Sequence, residues 1–274
     1  MYVSVAVMDT GIFRHMDFDT RIAGFADFVG RKKYLYDDNG HGTHVAGIIA
    51  GSGKGSNGKY RGIAPDTFLV SVKVLDKSGN GKIENVVEAA GWIIENKSAM
   101  NIRVVNISFG TRAKMENGPA IETGEDDYAL IMAVEKMWDS GIVVVAAAGN
   151  NGPGNASVTA PGISKKIITV GAFDDKNFFS GRGPTRECIV KPEVVVTGSN
   201  IIACNNRQGR YSSKSGTSMA APVVSGAVGR PFQNNPDITP KEVKIWMKSC
   251  CKKINVPSEK QGWGVLDIRK FVTG

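Results

Sequence analysis

The sequence predicts an α/β fold in three layers, a doubly wound, mainly parallel sheet with helices on both faces. Three observations predict it. Strand-length runs are apolar along their whole length, as strands buried on both faces must be. The segments between them carry apolar residues at helical spacing. Short polar residues follow several of the strands, and in open α/β sheets functional groups gather beyond the carboxyl ends of the strands.

The elements follow in chain order. Residues 3–8 read as a buried strand and residues 68–75 as a second, rich in valine. Ile83, Val86, Val87, Ala90, Ile93 and Ile94 fall on one helical face. Residues 102–107 are strand-like, 128–138 helical, and 142–148 an almost continuous apolar strand. Residues 167–172 and 194–196 add short strands. Thr239-Pro240-Lys241-Glu242 is a capping box with proline at the first helical position, followed by an apolar face at Val243, Trp246, Met247 and Cys250. No internal repeat or linker interrupts the pattern, so residues 1–274 are expected to form one domain.

Composition narrows the classes of function. Hydrophobic residues make up 42% of the 274, enough for a sizeable core. The net charge is +8, but Lys and Arg are scattered and no aromatic-and-basic module appears, so no nucleic-acid partner is expected. No apolar run approaches a membrane span, and no export signal precedes the first strand; a cytoplasmic protein without a membrane partner is the expectation. Cys188, Cys204, Cys250 and Cys251 fit neither a disulfide framework nor a zinc spacing, and are expected as free thiols.

Three polar residues sit where this architecture places a site. Asp9 closes the first strand, Ser108 closes the strand ending at Ile107, and Asn150 follows the 142–148 strand through Gly149. Each alone is an ordinary turn former; three at one sheet edge are more. His41 lies between glycines in Asn39-Gly40-His41-Gly42-Thr43-His44-Val45-Ala46-Gly47. A cap at a helix start is the plain alternative. Zinc is the poorer one, because no Glu stands between the two histidines and His15 is the one other imidazole. Ser218, in Ser215-Gly216-Thr217-Ser218-Met219-Ala220-Ala221-Pro222, reads as an N-cap by the same logic. Backbone N–H groups at a helix N-terminus also attract an anion, so its amide is suited to an oxyanion.

Val7-Met8-Asp9-Thr10-Gly11, the His41 segment and Gly216-Thr217-Ser218-Met219-Ala220-Ala221-Pro222 together resemble the three signature segments of the subtilisin-like serine proteases, in that family's order of Asp, His, Ser. Ala146-Ala147-Ala148-Gly149-Asn150, Ser180-Gly181-Arg182-Gly183-Pro184-Thr185 and Asn235-Pro236-Asp237-Ile238-Thr239-Pro240 extend the resemblance over essentially the whole chain. It implies a serine endopeptidase of broad specificity, close to intracellular bacterial members that lack a signal peptide. Ser218 would be nucleophile, His41 general base and Asp9 its orienting acid. Asn150 would donate to the oxyanion, a role whose loss costs about 10²–10³-fold in subtilisin itself. Ser108, Phe109 and Gly110 would pair with extended substrate backbone. Ala147 to Asn150, Gly149 among them, would line the pocket for the side chain before the cut, with Thr159 at its base. Ile83, Val86 and Phe109 would form an apolar pocket further upstream.

The resemblance implies no cofactor for the chemistry. It allows a structural calcium at His15 and Asp17, completed by oxygens of the 51–59 loop. Partners would be protein or peptide substrates, with a propeptide or inhibitor as a further partner; with eight residues ahead of Asp9, the fold-assisting propeptide of many relatives is not expected within this sequence. His44 is implied to be structural. A silent peptide-binding member of the same fold is the alternative, opposed by an intact triad and Asn150. An esterase of the α/β-hydrolase type would need a second glycine after Ser218 and another triad order. Three departures stand out: Thr197-Gly198-Ser199 and Val223 lie outside the triad, whereas Gly229-Arg230-Pro231-Phe232 interrupts the serine-bearing helix. Pro231 has no N–H and its ring crowds the carbonyl of Ala227, so the helix is expected to stop or kink at residues 228–230, with Arg230 reaching solvent or a carboxylate.

Overall fold

A computed structural model describes residues 2–111, 124–185 and 187–273. Its first strand, β1 (Ser4–Asp9), is buried at every position. Alternation explains how one strand serves two cores: Val5 and Val7 enter one hydrophobic cluster, Ala6 and Met8 the other. The further strands are β2 (Ile22–Asp27), β3 (Phe68–Lys73), β4 (Ile102–Ile107), β5 (Val143–Ala147), β6 (Ile168–Ala172), β7 (Val194–Val196), β8 (Ile201–Cys204), β9 (Tyr211–Lys214), β10 (Cys251–Lys252) and β11 (Val265–Leu266). Nine of them form one sheet in the order β10-β11-β7-β6-β5-β4-β1-β3-β2, with β8 and β9 as a separate antiparallel pair. Every pairing in the large sheet is parallel except β10 with β11. The chain runs from β1 to the edge strand β2, returns to β3 beside β1, then crosses to β4 on the other side and continues to β7. Strand order therefore reverses between β1 and β4, the place where such sheets open a crevice.

The helices are α1 (His41–Ala50), α2 (Ile83–Asn96), α3 (Glu125–Asp139), α4 (Thr217–Asn234), α5 (Pro240–Ser249), α6 (Ser258–Gln261) and α7 (Ile268–Thr273). Val45 and Ile49 of α1 share one cluster with Ala220, Val224 and Val228 of α4 and with Val243 and Met247 of α5. Val86, Ala90 and Ile93 of α2 and Leu130, Val134 and Met137 of α3 fill the other. Each fully buried Val or Leu contributes about 1.5–3 kcal/mol over its exposed state, so these two layers hold the sheet rigid beneath its crevice. The capping box at α5 is formed: Thr239 Oγ1 accepts from Glu242 N, and Glu242 Oε2 accepts from Thr239 N at 2.8 Å. All four cysteines are free.

The expected end of the serine-bearing helix is not observed. α4 runs through Pro231 to Asn234, a correction with a physical reason. A proline inside a helix removes one hydrogen bond, but Val228 and Phe232 on either side are fully buried and hold the last turn against the core. The Arg103 guanidinium lies over the Phe232 ring, 5.2 Å from its centroid. Asn235 N closes the end on Pro231 O. Arg230 meets the Asp66 carboxylate at 2.9 Å, the partner expected for it.

A second buried feature lies away from the crevice. The fully buried Lys191 ammonium donates to both oxygens of Glu193 at 2.8 Å, to Thr169 Oγ1 and to Ile167 O. Lys244 reaches the same carboxylate at 2.9 Å. Burial pushes the Lys191 pKa down to about 8 despite Glu193 beside it.

Candidate active site

The site rises from two sheet ends and two helix starts. Asp9 ends β1 with no exposed surface, and His41 begins α1. Gly11 and Gly42 bring these two ends together. Gly11 has φ +104°, and a Cβ there would collide with Tyr36 O. A Cβ on Gly42 would collide with Gly11 O and approach Asp9 Cβ to 3.1 Å. The close approach places His41 Nδ1 2.8 and 2.9 Å from the two Asp9 oxygens. Asp9 Oδ1 also accepts from Thr10 N at 2.7 Å, which fixes the carboxylate plane. An acceptor at Nδ1 keeps the proton on that nitrogen and leaves Nε2 as the basic one. Burial works against protonation of His41, but the charge and hydrogen bond of Asp9, aided by Asp37 and opposed by Lys214, outweigh it and raise its pKa above the usual imidazole value.

Ser218 is the second residue of α4, and it sits beside the end of β4. Ser218 Oγ donates to Ser108 O at 2.8 Å, and Ser108 Oγ donates back to Ser218 O at 2.9 Å. Among the described residues no hydrogen bond joins Ser218 to His41; the hydroxyl must turn away from Ser108 before it can reach the imidazole. Pro222 explains why Ser218 O is free to be held this way. Its missing N–H is the one that would have bonded four residues back, so Ser108 supplies the donor instead. Below lies a buried chain of neutral groups: Ser225 Oγ donates to Asn106 Oδ1, and Asn106 Nδ2 donates to Ser108 Oγ, at 2.8 and 2.9 Å.

Asn150 stands exposed beyond β5. Its Oδ1 accepts from Thr217 N at 3.0 Å and from Thr217 Oγ1 at 3.1 Å, so Nδ2 is the end turned outward with a proton to give. Gly216, at φ +145°, lets the chain pass that amide: a Cβ there would lie 3.3 Å from Nδ2. Thr217 Oγ1 accepts in turn from Gly149 N. Gly149 and Gly110 flank Thr159, and a Cβ on Gly149 would meet Thr159 Oγ1 at 2.7 Å, while one on Gly110 would lie 2.9 Å from Ala160 O. Thr159 is thus brought between the two glycine edges. Ala147 is buried in the core rather than open to the crevice. Ile83 and Phe109 are half-buried against the cluster that contains Val86.

His15, Asp17 and Cys204 form the one group of three potential metal ligands among the described residues. The residues do not fit a calcium there. Asp17 already accepts from Gly53 N and Gly55 N at 3.0 and 2.9 Å and from Tyr211 Oη at 2.9 Å, so the 51–59 loop offers it N–H donors instead of oxygens. His15 Nδ1 accepts from Asp17 N, and burial pushes the Cys204 thiol far up, away from the thiolate a soft metal needs. His44 is fully buried, its Nε2 donates to Ser212 O at 2.9 Å, and burial lowers its pKa to about 4.

Sequence reasoning missed Thr10, Asp37, Thr43, Asn106, Thr217 and Ser225. Asn106 had a signal: it is the polar interruption one residue before the apolar end of β4. Asp37, in Asp37-Asp38-Asn39-Gly40, has the composition of any turn and gave none.

Comparison with known proteins bears on family and fold. The Subtilase family (Peptidase_S8) matches residues 2–264. Serine protease AprX of Bacillus subtilis (strain 168) is 43% identical over 90% of this chain and 60% of its own length, so the chain spans about three fifths of that relative. Subtilisin DY of Bacillus licheniformis is 33% identical over 97% of this chain and 89% of its own. Among solved structures, a cold adapted subtilisin-like serine proteinase superposes with a TM-score of 0.77 at 31% identity, covering 96% of this chain and 86% of that one. Sphericase gives 0.80 at 26%, covering 96% and 90%. With the fold, the order of its motifs and the family match over nearly its whole length in agreement, the chain belongs to the subtilase family.

Proposed function

We propose that the protein is a serine endopeptidase of broad specificity, working through Ser218, His41 and Asp9. The observation that carries this is the Asp9–His41 pair at 2.8 Å, held at the strand reversal where Ser218 begins its helix. Substrate would lie extended along residues 108–110. His41 Nε2 takes the hydroxyl proton of Ser218 as Oγ attacks the scissile carbonyl, and gives it to the leaving amine as the C–N bond breaks. The acyl-enzyme is then hydrolysed by a water activated at the same nitrogen. The carbonyl oxygen, negative in the tetrahedral intermediate, is met by Asn150 Nδ2 and the Ser218 amide at the start of α4. Asp9 holds the imidazolium and the tautomer. Thr159, at the base of the pocket, favours small or medium apolar side chains before the cut, by about 1–3 kcal/mol per methylene-sized change.

Casein hydrolysis and labelling by a fluorophosphonate probe test the reading together. The parent is expected to do both and Ser218→Ala neither, with an unchanged melting temperature. A parent that folds, binds peptide and reacts with nothing would favour the silent binder instead.

A further inference from the structure

The acid–base half of the site rests on a carboxylate that takes no part in the triad. Asp37 is buried, with 6% of its surface exposed, in the loop ahead of α1. Its Oδ1 accepts from Thr10 Oγ1 at 2.9 Å, from Asn39 N at 3.1 Å and from Gly40 N at 2.8 Å. Its Oδ2 accepts from Thr43 N at 2.9 Å and from Thr43 Oγ1 at 2.5 Å. The two hydroxyls carry the connection onward. Thr10 Oγ1 accepts from Gly42 N, and Thr43 Oγ1 accepts from Phe13 N, each at 2.9 Å. One carboxylate thereby ties the exit of β1, just after Asp9, to the first turn of α1, which starts at His41.

α1 needs such a group. Its N-cap is Gly40 in the left-handed region, with no side chain to cap the free amides, and its first turn holds no acid. Asp37 reaches in from three residues earlier to accept from Gly40 N and Thr43 N and to meet the positive end of the helix, while Asn39 Oδ1 takes His41 N and Thr10 Oγ1 takes Gly42 N. Five accepted hydrogen bonds fill the capacity of an ionised carboxylate. An uncharged amide at the same place would aim an NH2 at donors.

We propose that Asp37 is a positioning residue for the proton-transfer step, setting His41 against Asp9 by locking the start of α1 to the end of β1. The proposal rests on the serine-protease reading of the same site. Its action is on the imidazole: it aligns the ring for the step in which the ring accepts a proton, and it adds negative charge near the imidazolium that forms. The charged and titratable groups that face His41 are Asp9 from β1, Asp37 from the preceding loop, Lys214 from β9 and His44 from α1 itself. Asp9 and Asp37 favour its protonated form, and Lys214 disfavours it. On the far side of Thr10, the buried Lys73 ammonium donates to Thr10 O at 2.7 Å, to Leu75 O and to Asp38, so Thr10 is held from both sides.

The test is the pH profile of kcat/KM and of fluorophosphonate labelling for Asp37→Asn. The expected result is a kcat lower by about 10–100-fold with KM within about twofold, because alignment serves the transition state and not substrate binding. The acid limb is expected to move down by about 0.3–1 pH unit, because a neighbouring negative charge is gone. A purely structural residue would lower the melting temperature and leave the limb where it was. Should Asp37→Asn fail to fold, Thr10→Val carries the test by cutting the same tie at its other end, and Thr10→Ser should restore most of the kcat that Thr10→Val loses. A folded Asp37→Asn enzyme with parental kcat and acid limb, or a folded Thr10→Val enzyme with parental kcat, overturns the proposal. If Ser218→Ala still cleaves casein, the failure belongs to the triad reading instead, and the two outcomes are told apart by that control.

Discussion

The two halves of the site are held in different ways. The acid–base half is held by ions: Asp9, Asp37 and the Lys73 ammonium are all buried, and their hydrogen bonds converge on Thr10 and Thr43. The nucleophile half is held by neutral groups alone, Ser225, Asn106, Ser108, Thr217 and Asn150. The difference follows the chemistry. Charge-assisted hydrogen bonds are roughly twice as strong as neutral ones, and they suit a pair that must keep one geometry while a proton comes and goes. In the proposed reaction the Ser218 hydroxyl leaves Ser108 O, and a neutral acceptor releases it more easily than a carboxylate would.

The largest effect should come from breaking the ionic half. Asp9→Asn keeps the shape but offers His41 Nδ1 a partner that can donate, which favours the wrong tautomer. A fall in kcat of about 10⁴-fold is expected, as in other serine proteases with this geometry, and steady-state kinetics on a peptide substrate will measure it. The pH profile sharpens the same point. His41 acts only when neutral and its pKa is raised, so activity should rise with pH through a midpoint above about 6.5, the ordinary imidazole value. Stability runs the other way. The His41 contribution is fully present below the unfolded value near 6.5 and is lost as pH rises through the higher folded value. An acid limb lying clearly below about 6.5 would contradict the raised pKa.

Breaking the neutral half should do less. Asn106→Ala leaves Ser225 and Ser108 without their buried partner, so a loss of about 1–3 kcal/mol in stability is expected, with kcat down about tenfold and the acid limb unmoved. Urea unfolding and the pH profile check the two parts. A shift of the acid limb in Asn106→Ala would dissolve the distinction between the halves. The smallest effect concerns a buried ion outside the crevice. Lys191 has a folded pKa near 8 against about 10.5 unfolded, so between those values the unfolded chain holds a proton the folded one has released, and stability rises with pH. Lys191→Met should lack that rise, so the difference in melting temperature between variant and parent should shift in the parent's favour between about pH 7.5 and about pH 10.

What the sequence made legible follows the same division. Strands β1, β3, β4, β5, β6 and β7 were readable because burial on both faces leaves a largely apolar run. β2 was not: it lies at the sheet edge, only its last residue is buried, and Gly24 interrupts it. β9 is Tyr-Ser-Ser-Lys, polar in sequence, and exists because β8 pairs with it. Asp9, His41 and Ser218 stood out through the signature segments around them. Asp37 and Thr10 did not, because their role is a set of distances between a strand end and a helix start that no local pattern encodes. Pro231 was misjudged for a related reason. The local rule was sound, and the buried Phe232 beyond it, reached only by tertiary packing, decided the outcome.

The strand reversal between β1 and β4 also has a kinetic meaning. β1 pairs with β4, which begins at Ile102, and α4, which begins at Thr217, packs in the same cluster as Val5 and Val7. Contacts between such distant parts of a chain form late and slowly, because loop closure must precede any gain from them. Asp9, His41 and Ser218, the residues of the proposed triad, are far apart in the chain and come together only through such contacts. On the proposed reading, proteolytic competence depends on these long-range contacts among β1, β4 and α4 and not on any one local segment.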